Sequence, residues 1–89
     1  MSQNNRTDKR ILLRKECILV NQFGLIETQT VDMSKMGLGV KTDRILPLKL
    51  KNGCDLGVFV QNMDLPQAKL MWIKKDINNA TRLGLEFLY

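Results

Sequence analysis

The chain has no histidine, only two cysteines and two prolines, and few aromatic residues. The absence of histidine excludes a Ser-His-Asp triad, a Cys-His dyad and any zinc site that needs imidazole. Cys17 and Cys54 lack the close spacing of a metal-binding or redox pair, so we interpret both as small apolar core residues. We therefore expect no metal site, no catalytic residue and no enzymatic activity.

Long apolar runs are also missing. The longest runs, 17–20 and 70–73, are far shorter than the roughly 18 apolar residues that a membrane-spanning helix requires. The polar start of the chain, residues 1–5, lacks the apolar centre of a signal peptide. The sequence therefore predicts no membrane span, a cytoplasmic location and reduced thiols.

The charge is biased toward basic residues, with 14 Lys and Arg against 9 Asp and Glu, a net charge of +5. Such a surface attracts anions, including nucleotides, nucleic acid, acidic membranes and acidic protein surfaces. A length of 89 residues with 44% hydrophobic content is typical of one small globular domain with one core. We expect a single domain over residues 1–89.

Short alternating segments bounded by turn residues predict strands rather than helices. Alternation places Leu56, Val58 and Val60 on one face of a strand, and it groups Leu70 with Trp72 on another. Trp72 and Phe87 are interpreted as core residues. The predicted strands cover 13–21, 25–31, 38–42, 56–61, 68–75 and 83–87.

Six short strands with no helical period predict an all-β fold, a small antiparallel barrel whose closure removes exposed edges. The sequence ends two residues after Phe87, so no C-terminal helix is expected. The polar segment before the first strand is predicted to be a flexible, ligand-binding arm over residues 1–10, with the barrel over 11–89.

Two short motifs point to a guanine nucleotide. Arg6 and Arg10 lie four residues apart, and an arginine fork matches the N7 and O6 acceptors of guanine or a phosphate. Asp32, Ser34 and Gly37 form the pattern D-x-S-x-x-G. The carboxylate of Asp32 can accept the N1–H and N2–H of guanine, and Ser34 can contact the ligand or cap a turn. Gly37 permits an approach that a Cβ would obstruct.

The arginine motif has a second possible register, because Arg10 and Arg14 also lie four residues apart. We favour Arg6 and Arg10, since Arg14 falls inside the first predicted strand. Lys9, Lys35 and Lys41 can supplement phosphate contacts, but the sequence does not select among them. Secondary site candidates are Asn5, Lys9, Arg14 and Gly39.

In order and placement, these motifs resemble the PilZ domain, the bacterial module that binds cyclic di-GMP. The arginine pair precedes the first strand, D-x-S-x-x-G precedes the third, and L-G-L-E-F over 83–87 resembles the closing strand. The resemblance spans about residues 6–87 and implies a split barrel with a ligand but no cofactor. It assigns ligand binding to Arg6, Arg10, Asp32, Ser34 and Gly37.

One position departs from the commonest family pattern. Asn5 stands where many members have a basic residue directly before the first arginine. The resemblance links this position to the way the ligand sits, so the sequence leaves open whether one or two copies of cyclic di-GMP bind.

The function predicted from these features is a non-enzymatic receptor or adaptor. Cyclic di-GMP would order the arm carrying Arg6 and Arg10 and so change the surface shown to a downstream protein partner, which the sequence does not identify. One alternative is an interaction adaptor of the same fold that binds no nucleotide. Another is a basic barrel that binds RNA or single-stranded DNA, which is disfavoured because most of the few aromatic residues fall at core-like positions.

Overall fold

The computed structural model describes residues 9–47 and 50–89, and all of its regular structure is β. Every pairing is antiparallel, and the β3–β4 pairing closes a ring of the six longer strands, with β1 as an additional strand on β3. The predicted all-β, six-stranded barrel is therefore confirmed. The strands are β1 Ile11–Leu12, β2 Glu16–Asn21, β3 Gly24–Met33, β4 Gly37–Thr42, β5 Asp55–Val60, β6 Ala68–Lys75 and β7 Thr81–Phe87.

Alternating side chains from all six longer strands fill the barrel. In β5, Leu56, Val58 and Val60 are buried while Phe59 points outward, as the alternation predicts. Phe87 is buried as predicted. No helix among residues 9–47 and 50–89 is long and apolar enough to cross a membrane. The core consists of Cys17, Leu19, Ile26, Leu38, Val40, Leu50, Leu56, Val58, Val60, Ala68, Leu70, Leu83, Leu85 and Phe87.

The first predicted strand, 13–21, is wrong at its start because the chain divides there into β1 and β2. Thr30 of β3 occupies this gap with its side chain. Its hydroxyl donates to the carbonyl of Leu13 at 2.7 Å and accepts the N–H of Lys15 at 2.8 Å. The separate strand β1 then pairs with the far end of β3, which is longer than the predicted 25–31 and reaches Met33.

Bulges in β3 and β6 change which side chains point outward. Thr30 and Leu70 point into the barrel, and strict alternation would place Asp32 and Trp72 inside as well. Each pairing ladder shifts at this point, between Thr30 and Asp32 in one strand and between Leu70 and Trp72 in the other. An extra residue reverses the facing of the side chains that follow it. The predicted common face of Leu70 and Trp72 is therefore wrong, and Asp32 and Trp72 both lie outside.

Candidate functional site on the outer face of the barrel

Arg10 meets Asp32 and Ser34 on the outside of the barrel. Its Nη2 donates to Asp32 Oδ1 at 3.0 Å, and its Nη1 donates to Ser34 Oγ at 3.3 Å. The strand register explains the meeting, because Leu12 pairs with Asp32 and the antiparallel ladder carries Arg10 toward Ser34. The Arg10 and Asp32 side chains are 43% and 24% exposed, so both reach solvent. An exposed ion pair of this kind contributes little to stability, so both side chains can exchange this contact for one with a ligand.

Ser34 organises the turn between β3 and β4. Its Oγ accepts the N–H groups of Met36 and Gly37, both at 3.1 Å, and its own N–H donates to the Gly37 carbonyl at 2.9 Å. A serine hydroxyl that accepts nearby backbone N–H groups fixes a tight turn. Of the two roles open to Ser34 from the sequence, the turn cap is present, and the same oxygen also holds Arg10.

The end of the chain braces this turn against β7. The N–H of Phe87 donates to the carbonyl of Met36 at 2.8 Å, and the hydroxyl of Tyr89 donates to the carbonyl of Lys35 at 2.5 Å. The rings of Phe87 and Tyr89 pack edge to face with centroids 6.1 Å apart. The loop that carries Ser34 is thus held by two backbone carbonyl contacts.

The two glycines around this turn make room for different neighbours. A Cβ at Gly37 would collide with the backbone carbonyl of Leu85, so Gly37 allows β4 to approach β7. A Cβ at Gly39 would lie 2.5 Å from Asp32 Oδ1, since these two residues pair across β3 and β4. Gly39 therefore provides the space that the Asp32 carboxylate occupies.

Trp72 lies in the same cross-strand row as Asp32. Trp72 pairs with Gly84, Gly84 pairs with Gly39, and Gly39 pairs with Asp32. The indole covers Gly84 so closely that any Cβ there would collide with the ring. Trp72 is nevertheless 38% exposed, so its prediction as a core residue is wrong. The expectation that most aromatic residues lie at core-like positions is also wrong, because Phe87 alone among the aromatic side chains is buried.

A row of basic side chains lies next to this row. Lys74, Arg82 and Lys41 are directly paired across β6, β7 and β4. Like charges opposite one another on a sheet repel. The Nε of Arg82 is buried and has no hydrogen-bond acceptor within the described part of the chain. Lys74 Nζ lies 5.2 Å from the centre of the Trp72 ring. Three adjacent cations with an unused donor are suited to an anion.

The sequence predictions thus meet with different outcomes. Arg10, Asp32, Ser34, Gly37 and Gly39 come together, whereas Asn5 and Arg6 lie outside the described residues. Lys9, Arg14 and Lys35 are exposed. The register of Arg6 and Arg10 stays a prediction because Arg6 lies outside the described residues, and no hydrogen bond or ion pair joins Arg14 to the Asp32 or Ser34 side chain in the described part of the chain.

Sequence reasoning did not identify Trp72, Lys74 or Arg82 as site residues. The alignment of Lys74 and Arg82 with Lys41 could have been found only from the register of three strands. The outward position of Trp72 could have been found only from its bulge.

A concavity formed by the described residues lies on another part of the barrel surface. It has a volume of about 470 Å³ and is lined in part by Glu16, Ile18, Glu27, Lys41 and Asp76. Neither Arg10 nor Asp32 lines it. The candidate site is instead an open outer surface. Such a surface suits a flat, charged ligand that is held by forked hydrogen bonds and by stacking, and it does not enclose the ligand in a deep pocket.

A family model described as the PilZ domain matches residues 4–89. The chain belongs to the PilZ domain family. The members of this family are receptors and adaptors rather than enzymes, which agrees with the prediction from the sequence. No protein with a curated description matches the chain.

Solved structures of PilZ proteins share its fold. The Bacillus subtilis inhibitor of motility, MotI/DgrA, superposes with a TM-score of 0.77 at 16% identity, covering 98% of this chain and 44% of that protein. The PilZ domain of YcgR from Escherichia coli, solved with c-di-GMP, gives 0.70 at 21% identity, covering 96% and 79%. YcgR from Escherichia coli in complex with c-di-GMP gives 0.66 at 22% identity, covering 94% and 38%. The chain thus spans less than half of MotI/DgrA and of this longer YcgR chain.

Proposed function

We propose that this PilZ domain is a receptor for cyclic di-GMP. The observation that carries the proposal is the convergence of Arg10, Asp32 and Ser34, with a 3.0 Å contact between side chains that lie 22 residues apart in the chain. A guanidinium and a carboxylate side by side offer donors and acceptors that match two edges of guanine. The relatives solved with c-di-GMP have the same fold, which supports the choice of ligand.

The proposed ligand lies along the outer row rather than in the cavity. Arg10 donates to the N7 and O6 edge of one guanine, and Asp32 accepts from an N1–H and N2–H edge. Trp72 offers an exposed indole next to Gly84 on which a base can stack. The two phosphates carry negative charge, and the nearby cations of Lys41 and Arg82 stabilise them. Each charge-assisted hydrogen bond of this kind contributes about 1.5–3 kcal/mol.

The proposed coupling to a partner involves the segment before β1. Arg10 contacts Asp32 and Ser34, so we assign the ligand-dependent change to the rest of the proposed arm, residues 1–8, which include Arg6. We propose that Arg6 closes over the bound nucleotide and that the covered surface is read by a second protein. Hydrogen exchange of residues 1–8 should slow on ligand addition in the parent protein but not in Arg6→Ala.

Calorimetric titration with cyclic di-GMP tests the receptor function. The parent chain should bind, whereas Arg10→Ala and Asp32→Ala should each lose about a hundredfold or more in affinity, since each removes charge-assisted contacts. Arg44→Ala is the matched control, because Arg44 is an exposed arginine that pairs with Glu27 rather than with Asp32 or Ser34. The same titration gives the number of ligand copies. Absence of heat with a folded parent sample would contradict the proposal.

Binding of RNA or single-stranded DNA is the second candidate. The observation in its favour is the row of Lys74, Arg82 and Lys41 beside an exposed tryptophan, since such proteins combine cations with stacking platforms. Asp32 argues against it, because a carboxylate in this row repels a phosphate backbone. Oligonucleotide binding with a steep salt dependence that survives Asp32→Ala would favour this candidate over the receptor.

A further inference from the structure

The half of the barrel formed by β5, β2 and β3 exposes an apolar surface. Phe59 pairs with Ile18, and Val20 pairs with both Gly57 and Leu25, so their outward side chains form two adjacent rows. Phe59 is 61% exposed and Leu25 is 70% exposed. We call Phe59, Ile18, Val20 and Leu25 the apolar patch. Contiguous exposed apolar surface of this kind marks an interaction site more often than scattered single residues do.

The charge around the apolar patch differs from that of the whole chain. Strands β2, β3 and β5 contain no lysine or arginine, although the chain has a net charge of +5. The carboxylates of Glu16, Glu27 and Asp55 are exposed at its margin. Glu27 pairs with Arg44 at 2.7 Å, but both side chains are more than 60% exposed, so a partner's cation can replace this weak contact.

We infer that the apolar patch docks a protein partner whose contact surface is apolar and flanked by lysine or arginine. Burial of Phe59 and Leu25 supplies the hydrophobic contribution. The acidic margin favours basic flanking residues and steers their approach. A second copy meeting the patch symmetrically would set Glu16 and Asp55 against their own like charges, and an anionic lipid surface would be repelled by the same carboxylates.

A concavity lies beside the apolar patch and can accept a side chain that projects from the partner. The 470 Å³ concavity is lined by Ile18, Glu16 and Glu27 of strands β2 and β3, and by Lys41 and Arg44. A basic side chain of the partner can meet Glu16, next to the patch, while the apolar contact forms at Phe59. This inference does not depend on which ligand the opposite half of the barrel binds.

Site-specific photo-crosslinking in the bacterium that makes the protein tests the inference. A photoreactive residue at position 25 should capture a second protein through a peptide that combines apolar residues with Lys or Arg. The control is the same residue at position 77, because Ile77 is 97% exposed but lies outside the patch. Equal capture from both positions, crosslinks only within the chain or to a second copy, or no captured protein would overturn the inference.

The captured protein is then purified and titrated with the full chain. Leu25→Ser and Phe59→Ser should each weaken binding by about tenfold or more, as for central apolar contacts in interfaces. Glu16→Lys should weaken it chiefly at low salt, and Ile77→Ser should leave it unchanged. All four positions are exposed, so thermal unfolding should match the parent. Unchanged affinity in Leu25→Ser and Phe59→Ser, or binding of the parent to vesicles of anionic lipid that both variants abolish, would refute the assignment.

Discussion

The two halves of the barrel share one apolar interior, but the side chains on their outer surfaces differ in charge and polarity. Strands β6, β7 and β4 carry basic residues outward, including Lys74, Arg82 and Lys41, with Trp72 lying over a glycine. Strands β5, β2 and β3 carry no basic residue and expose apolar side chains with a margin of carboxylates. The difference shows that one pattern of alternating apolar residues closes the barrel, while the outward positions differ in charge and polarity from one half to the other.

Strand β3 belongs to both halves. Its first residues contribute Leu25 and Glu27 to the acidic half, and its last residues carry Asp32 beside Gly39 of the basic half. The bulge after Thr30 separates these two parts of the strand and turns Asp32 outward. A ligand at Asp32 and a partner at Leu25 would therefore contact opposite ends of one strand, which gives the proposed receptor a continuous physical connection between its two surfaces.

Among the variants that compare the two halves, charge reversal on the basic half should have the largest effect on ligand affinity. The double variant Lys41→Glu, Arg82→Glu should lower the affinity for cyclic di-GMP by about a hundredfold, because two cations that would stabilise the phosphates become repulsive anions. For the same reason, the dependence of the affinity on salt concentration should reverse its sign. The comparison is Asp55→Lys in the acidic half, which should change affinity by less than about twofold, because Asp55 pairs with Lys69 rather than with the basic row and exposed charges beyond a Debye length are screened. A clear gain of affinity in the comparison variant, in the direction of its added positive charge, would mean that net charge, rather than this basic row, attracts the ligand.

Gly39→Ala should have the next largest effect. The new Cβ would displace the Asp32 carboxylate, so affinity should fall by about tenfold, the loss of one charge-assisted hydrogen bond. The free energy of unfolding should change little, because the neighbour that must move is the end of a partly exposed side chain.

The matched control for this glycine is Gly57→Ala in the acidic half, where the added Cβ would meet the ring of Phe59. Calorimetry should show unchanged affinity for cyclic di-GMP in this variant. If Gly57→Ala lowered the affinity as much as Gly39→Ala, the loss would reflect distortion of the whole barrel, and the specific role of Gly39 would be wrong.

The sequence predicts the regular part of this molecule and misses its irregular part. Period-two alternation located β5 and β7 closely and grouped Leu56, Val58 and Val60 on one face, because one buried face imposes that period. The same rule failed at Trp72, since a bulge adds a residue that no local pattern announces. It also failed at 13–15, where the Thr30 side chain replaces ladder contacts across a sequence separation too long for local reasoning.

The candidate site shows the same division. Arg10, Asp32 and Ser34 were predicted together from short motifs, because motif chemistry is local and the family resemblance supplied their common ligand. Lys74 and Arg82 join Lys41 only through the register of three strands, which depends on tertiary pairing. Local sequence therefore predicted the hydrogen-bonding groups but not the surface on which they lie.

Trp72→Ala should lower the affinity for cyclic di-GMP by about fivefold. This value is at the lower end of the range for the loss of one stacked base, because Lys74 lies near the indole and a stacked base would compete with it. Trp72 is the only tryptophan, so ligand addition to the parent should also quench its fluorescence. Phe59→Ala is the control from the acidic half and should leave ligand affinity unchanged. If ligand addition caused no quenching and Trp72→Ala kept the affinity of the parent, Trp72 would not belong to the ligand surface.

The smallest effect concerns the interior of the acidic half. Burial raises the pKa of the Cys17 thiol above its ordinary value of 9.0, although hydrogen bonds with Thr28 and the Phe59 backbone act in the opposite direction. The unfolded chain therefore loses this proton first as the pH rises, so stability that is complete below about pH 9 should decline above it. Urea unfolding under reducing conditions should show this decline in the parent and in Cys54→Ala, and a shallower one in Cys17→Ala. An equally steep decline in Cys17→Ala would assign the pH dependence to other groups.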